Sequence, residues 1–349
     1  MEVMLVGNYG HTNLGDEAIM RGVARLFDDI KVETIIVTDD KDNSRVIHGS
    51  NFNFISFRDG ICGFWPLDYL REMYRIAKGV QKVDAVAIGG GGLFNDIHPK
   101  AFIKYVYYIL ISVIFSKKVF ILGVSVGPLE SFFLKKILRY ALAKCEFVVF
   151  RDFPSREFFC RGYVAPDMAL YPFQNKTDLI SQSGGSANNL LLVSLVGVRA
   201  IKEDSFESHI VDIINEHYIS KISCIKIIVM DFDRDLASAE IFKSILVENF
   251  PRVEVDVTVS TSISELYEVF QSCRYVIGER LHACILAECF GKEYTVLSYQ
   301  EKVKNYFFSH GLACQLYKAD SDNLPFIFRS EERIGFPEVV GLIKASIGD

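Results

Sequence analysis

Two side chains suited to anion chemistry lie two residues apart in Gly278-Glu279-Arg280-Leu281-His282-Ala283, directly after the apolar run Tyr275-Val276-Ile277. That run predicts a strand. Leu281 to Phe290, closed by Gly291, predicts a helix. In an open α/β sheet, ligands bind where a strand feeds a helix. The first turn of a helix adds unpaired N–H groups and the positive end of the helix dipole. A guanidinium there makes two parallel bonds to a phosphate or carboxylate, and an imidazole exchanges a proton near neutral pH. Arg280, His282 and these amides suit a compact anion. The bland alternative for His282 is a core histidine at a helix start.

The same arrangement recurs at other predicted strand ends. Val3 to Val6 runs into Gly7-Asn8-Tyr9-Gly10-His11-Thr12-Asn13-Leu14-Gly15-Asp16-Glu17, a glycine-rich turn that opens a helix. Its glycines, at 7, 10 and 15, fit neither the dinucleotide nor the Walker spacing, and it holds no lysine. Asp16 reads either as a helix N-cap or as a carboxylate that acts as base or binds a hydroxyl. Asp84 to Ile88 meets Gly89, Gly90, Gly91 and Gly92, then Asn95 and Asp96. Four glycines in a row cost backbone entropy, so close approach of a ligand is the expected reason, with Asn95 and Asp96 as hydroxyl binders. Gly123 to Pro128 places small residues after the next strand. Arg151 follows Val148-Val149-Phe150, where it meets an anion or forms a surface salt bridge with Asp152. Asp167 lies in Ala165-Pro166-Asp167-Met168-Ala169. Lys302, in Ser298-Tyr299-Gln300-Glu301-Lys302-Val303, starts a helix, where the dipole disfavours a lysine unless an anion accompanies it.

These residues need a frame of strands. Apolar runs of strand length fall near 2–6, 32–37, 53–56, 83–88, 119–123 and 146–150. Helical patterns lie between them, near 16–28, 66–78, 100–115, 132–144 and 153–160. Residues 171–189 are poor in large apolar side chains and read as a linker. The alternation restarts with strands near 190–195, 224–230, 253–257, 274–277 and 294–297. Helices follow near 203–219, 235–249, 262–272, 281–290 and 301–309. The expectation is an α/β chain of two Rossmann-like domains, 1–170 and 190–330, that face a cleft. A final helix, within 331–349, packs on either domain.

The 349 residues carry 38 basic and 44 acidic side chains, a net charge of −6, and half of them are apolar. No basic tail or run appears, which argues against a nucleic-acid partner. The eight cysteines, at 62, 145, 160, 224, 273, 284, 289 and 314, form no Cys-x-x-Cys pair. They read as buried thiols of a cytoplasmic protein, with no metal site. A strand begins within two residues of Met1, so no signal peptide is expected. Tyr105 to Phe115, flanked by lysines, is too short to span a bilayer. It reads as a buried helix, or alternatively as a surface helix in peripheral contact with the inner membrane face.

GNYGHTNLGDEAI, IGGGGLFND, GVSVGP, RDFPS, APDMA, GERLHACILAECFG and SYQEKVKNYF occur in order between about residues 5 and 310. In this the chain resembles the polysaccharide pyruvyl transferases. The resemblance implies a GT-B type fold and transfer of pyruvate from phosphoenolpyruvate to sugar hydroxyls, as a ketal, without a further cofactor. It implies His282 as general acid and Asp16 as base or hydroxyl orienter. Arg151, Arg280, Leu281 and Lys302 would lie on the donor side. Asn13, Gly15, Gly90, Gly91, Gly92, Asn95, Asp96 and Asp167 would line the acceptor side or cleft, with a glycan or lipid-linked saccharide as acceptor. Two departures fall in the donor half. Val196 follows Val-Ser-Leu where members often carry an arginine, leaving Arg199 as the nearest. Val229 to Asp235 replaces an apolar-Pro-Phe segment. A GT-B glycosyltransferase with a nucleotide-sugar donor, or a non-catalytic glycan-binding relative, are the rival readings.

Overall fold

A computed structural model describes residues 1–58, 65–174, 189–197, 205–297, 301–310, 315–317 and 333–347. The chain divides into two compact units. One holds Met1–His11, Asp16–Pro172 and Phe328–Asp349; the other holds Thr12–Gly15 and Phe173–Ile327.

The first unit is built on strands β1 (Glu2–Val6), β2 (Glu33–Val37), β3 (Asn53–Ile55), β4 (Ala85–Phe94), β5 (Lys118–Val126), β6 (Phe147–Phe150) and β7 (Tyr163–Val164). All pair in parallel, in the order β3-β2-β1-β4-β5-β6-β7. Its helices are α1 (Leu14–Asp29), α2 (Lys41–His48), α3 (Trp65–Lys82), α4 (Pro99–Ile114), α5 (Phe132–Leu142) and α6 (Phe153–Phe159). The inner sides of α3, α4 and α5, with Ile76, Val80, Phe102, Ile109, Leu138 and Leu142, share one core with Met4, Val86, Ile88 and Ile121 of the sheet. Such near-continuous apolar strands mark a parallel sheet covered on both faces.

The second unit repeats the plan. Strands β8 (Leu190–Ser194), β9 (Cys224–Val229), β10 (Glu254–Val259), β11 (Tyr275–Gly278), β12 (Glu293–Leu297) and β13 (Gln315–Tyr317) pair in parallel, in the order β10-β9-β8-β11-β12-β13. Helices α7 (Ser205–Ile213), α8 (Phe232–Asn249), α9 (Ile263–Ser272), α10 (Leu281–Cys289) and α11 (Glu301–His310) accompany them. α7 continues into a π-helical turn, Ile214–Tyr218.

In both sheets the strand order reverses between the first and fourth strands of the unit. The loops that leave these strands diverge to opposite faces there, which opens the crevice used by doubly wound folds. β1 and β4 flank the first switch point, and β8 and β11 the second.

Among the described residues four elements escaped the sequence patterns: α2, β7, β13 and a short 3-10 helix, Met168–Phe173, are short and lack a full apolar period. β4 also runs on through Gly89 to Gly92, so the four glycines belong to a strand and not to a loop. The last helix, α12 (Phe336–Ile347), joins the first unit. Phe336 packs edge-on against Tyr171 at 5.2 Å, and the Ile334 N–H donates to the Val164 carbonyl at 2.9 Å. Most of the expected linker lies outside the described residues.

Candidate active site

At the second switch point, β11 ends in Gly278, where a Cβ would lie 2.3 Å from the Cys284 sulfur. The chain then turns through Glu279, whose N–H donates to Ser194 of β8 at 2.9 Å and whose buried carboxylate accepts from the Val196 N–H at 2.8 Å. This cross-link fixes the backbone from which Arg280 and His282 project. The bond uses only the backbone of Val196, at the position where an arginine was expected. Arg199 lies outside the described residues.

Arg280 takes the N-cap position of α10 without capping it. Its guanidinium reaches Asp235 instead, with Nε donating to Oδ2 at 3.0 Å and Nη2 to Oδ1, while Asp231 Oδ2 stands 3.7 Å away. Asp235 also accepts from the N–H groups of Gly197 and Asp231, each at 3.0 Å. Both acids belong to the start of α8, where the helix dipole favours them. They come from Val229 to Asp235, the segment that departs from the family pattern. This departure in the donor half therefore bears directly on Arg280.

Thr12–Gly15, counted with this unit, supplies the rest. The Thr12 hydroxyl lies 3.1 Å from Asp231 Oδ1 and 2.9 Å from Asp233 Oδ2, and the Leu14 N–H donates to the Met230 carbonyl at 2.8 Å. Asn13 forms a bridge with Asp231 and caps α1, its Oδ1 accepting from the Gly15 N–H at 3.1 Å. The N-cap alternative for Asp16 thereby falls, because Asn13 does that work. The imidazole of His282 lies against Gly15, where a Cβ would stand 2.1 Å from Nδ1. Gly15 is a glycine because His282 needs its space. Arg280, His282, Asn13 and Gly15 are thus brought together. Leu281 is buried in the core. Lys302, the second residue of α11, is exposed, and the three residues before that helix lie outside the described ones.

At the first switch point the glycine-rich turn is held by Glu17. Its buried carboxylate accepts from the Gly10 N–H at 2.7 Å and the His11 N–H at 3.3 Å, and meets His48 Nε2 at 2.7 Å. Sequence reading passed over Glu17 because Asp16 beside it looked equally charged; its place on the inward stripe of α1, next to Ala18 and one turn from Met20, was the available signal. Asp16 is half-buried and accepts from Asn8 Nδ2 at 2.8 Å. Gly91 leaves room for it, since a Cβ there would lie 3.3 Å from Asp16 Oδ1.

The other glycines divide. At Gly90, with φ +64°, a Cβ would strike Ile19 at 1.9 Å, so packing requires this glycine without any ligand. Gly92 is exposed with open space around it. Asn95 and Asp96 shape the neighbouring loops: Asn95 donates to the Gly92 carbonyl and accepts from the His98 N–H, and Asp96 accepts from the Glu130 N–H at 2.6 Å. The Glu130 bond, with a second from Ser131, holds the Asp96 carboxyl below its usual range.

Arg151 and Asp167 require correction. Arg151 is 2% exposed and Asp167 fully buried. Nη1 donates to Asp167 Oδ2 at 3.0 Å and Nε to the Ser125 hydroxyl at 2.6 Å. Asp167 Oδ1 accepts from the Ala169 N–H at 2.9 Å. Asp152, the expected surface partner of Arg151, instead caps α6 through Ser155. Arg151 and Asp167 form an internal brace, so burial removes one from the donor ligands and the other from the cleft lining. Among the described residues no group of three His, Cys, Asp or Glu side chains is placed to hold a metal ion.

The family description polysaccharide pyruvyl transferase matches residues 13–301. No curated protein matches the chain. Among solved structures, a putative UDP-N-acetylglucosamine 2-epimerase from Listeria monocytogenes is similar at 12% identity and TM-score 0.54, covering 88% of this chain and 82% of that one. The UDP-GlcNAc 2-epimerase from Neisseria meningitidis, solved with UDP-GlcNAc, shares 11% identity at TM-score 0.54, over 87% and 85%. A glycosyltransferase from Rickettsia africae shares 11% identity at TM-score 0.51, over 92% and 84%. These likenesses concern the fold, two Rossmann-like domains of the GT-B type.

Proposed function

The chain belongs to the polysaccharide pyruvyl transferase family, and from that premise we propose that it moves pyruvate from phosphoenolpyruvate onto two hydroxyls of a glycan or lipid-linked saccharide, closing a ketal. The observation that supports this most is the pairing of Arg280 with His282 on the first turn of α10, beside the strand-order reversal. Arg280 and the amides of that turn bind the anionic donor. His282 protonates the methylene carbon, which leaves an oxocarbenium-like centre at C2. One hydroxyl adds there and loses its proton, with Asp16 as the base. Phosphate then leaves with its bridging oxygen, and the second hydroxyl closes the ketal and loses its proton in turn.

One observation favours a second reading. Asp235 matches the charge of Arg280, whereas phosphoenolpyruvate brings both a phosphate and a carboxylate. A nucleotide-sugar donor, with its diphosphate on the same helix start, asks for less local positive charge. Phosphate release from phosphoenolpyruvate in the presence of candidate glycans tests the first reading. A rise in melting temperature with UDP- or GDP-sugars, and none with phosphoenolpyruvate, selects the second. Asp16→Asn separates base from scaffold: the amide still accepts from Asn8, so folding persists while turnover falls. Full turnover in that variant moves the base elsewhere.

A further inference from the structure

We propose that the outer face of α3, α4 and α5 docks the enzyme on an anionic lipid bilayer. The proposal is independent of which donor is used. The three helices are neighbours, with α4 packed against both α3 and α5, and their inner sides fill the core of the first unit. Their outer sides do not look like an ordinary solvated surface. Among the described residues, ten of the seventeen exposed large apolar side chains lie between Leu67 and Tyr140, on these helices or beside their ends. On α5, Phe132 is 71%, Phe133 70% and Tyr140 61% exposed. On α3, Leu67, Leu70 and Tyr74 form a stripe spaced at three and four residues.

Charge on the same helices runs against that of the chain. α3 carries four lysines and arginines, α4 two and α5 three, against two acids on the same helices, Asp68 and Glu72 of α3, in a protein of net charge −6; from outside the helices Asp39 also reaches Lys104, at 3.4 Å. Asp68 is buried, and Glu72 lies 3.8 Å from Lys104. α4 and α5 contain no acid. The cations stand beside the exposed rings: Lys136 Nζ is 4.5 Å from the Phe132 ring centre, Lys144 Nζ 5.2 Å from Tyr140 and Lys78 Nζ 5.7 Å from Tyr74.

This combination selects the occupant. Interfacial helices put aromatic and aliphatic tips into the headgroup boundary while lysines extend their stems and keep their charge at the phosphates. Anionic headgroups attract each such cation. A protein partner would meet a more continuous apolar patch with charge depleted at its centre, but here cations and apolar tips alternate. No helix of the described residues is long and apolar enough to cross a membrane, so the contact is one of lying on the surface.

The test is co-sedimentation of the full chain with phosphatidylcholine vesicles, with and without phosphatidylglycerol, at low and high salt. Binding should require the anionic lipid and weaken as salt rises. Phe132→Ser/Phe133→Ser should lower partitioning by about ten-fold or more. Lys136→Gln/Lys144→Gln should lower it by about 25-fold, about five-fold per lost charge. All four side chains point outward, so both variants should melt with the parent; because the two act through different forces, either one alone is decisive if the other unfolds. Absence of binding to anionic vesicles overturns the proposal. So does binding that both variants leave unchanged. A dimer that Phe132→Ser/Phe133→Ser disperses, without vesicle binding, assigns the face to a second copy of the chain and overturns it as well.

Discussion

Arg151 and Arg280 each lie just beyond the carboxyl end of a strand in its own Rossmann-like domain, Arg280 at a strand-order reversal and Arg151 two strands from one, and the sequence around each suggests an anion ligand. Their surroundings separate them. Arg151 is sealed, its charge balanced by a carboxylate with no exposure at all. The side chain of Arg280 keeps 13% exposure, stands at a helix start and shares its acid with backbone amides. A strand-end position nominates a guanidinium; both partners are buried, so the exposure of the arginine itself decides whether it braces the fold or remains within reach of a ligand.

The largest expected effect tests that contrast. Asp167→Asn strands a buried guanidinium, and losing one partner of a buried ion pair costs about 3–5 kcal/mol. Asp235→Asn leaves Arg280 within reach of water and should cost clearly less, about 1–3 kcal/mol, while raising affinity for an anionic donor. Urea unfolding of both variants at neutral pH checks the order. Equal losses would erase the distinction between brace and ligand.

Next in size is the difference between the two charged side chains of α10. Arg280→Lys retains charge but loses the fork, so donor affinity should fall. His282→Gln should bind the donor almost as the parent does and turn over about 100-fold more slowly. Calorimetry beside single-turnover rates separates the two. Normal turnover in His282→Gln would leave the imidazole as a packing group.

The frame was legible because parallel strands are written as apolar runs and their helices as amphipathic intervals. The motifs marked both strand-order reversals without any knowledge of pairing. Which residues were braces was not legible, since burial of Arg151 depends on Asp167, sixteen residues away, and on Ser125, which precedes it by twenty-six. Nor could the glycines be sorted by sequence. Gly90 answers to Ile19 and Gly15 to His282, partners that only the folded chain supplies. The acids that hold Arg280 were visible as a departure from the family pattern, yet their partner was not.

Gly15→Ala probes that hidden contact. Alanine favours a helix over glycine by about 1 kcal/mol, but its Cβ would collide with the His282 ring. Overpacking of this kind costs about 1–3 kcal/mol, so the net change should be a modest destabilisation together with a displaced imidazole and slower turnover. In Gly15→Ala/His282→Ala the collision is gone and the helix preference should reappear as a gain relative to His282→Ala. A double-mutant cycle by thermal unfolding measures the coupling, and additive effects would mean that the two residues do not touch.

The smallest expected effect lies on the glycine-rich turn of the first domain, in a pair that contrasts with the sealed brace of Arg151. His11 Nε2 stands 3.3 Å from Asp39 Oδ2, and the histidine side chain is 43% exposed. Its hydrogen bond to Asp39 raises the imidazole pKa, against the lowering effect of partial burial. Burial pushes the Asp39 carboxyl up, but the His11 bond, with Lys104 and Arg58, more than reverses this and leaves it below its usual range. The signs follow. A raised histidine stabilises the fold fully below its unfolded pKa of about 6.5, and that contribution disappears as pH rises through the higher folded value. The Asp39 contribution is present above the unfolded carboxyl pKa and disappears as pH falls through the folded one. Solvent screening keeps the His11 increment below about 1 kcal/mol, and 1 M salt should shrink it further, whereas the Arg151 brace should ignore salt. NMR titration of the His11 ring beside unfolding at pH 6 and pH 8 measures both quantities. Asp39→Asn should lower the pKa of the ring and flatten that part of the pH dependence. A parent His11 that already titrates at the ordinary value would show that the pair does not form in solution.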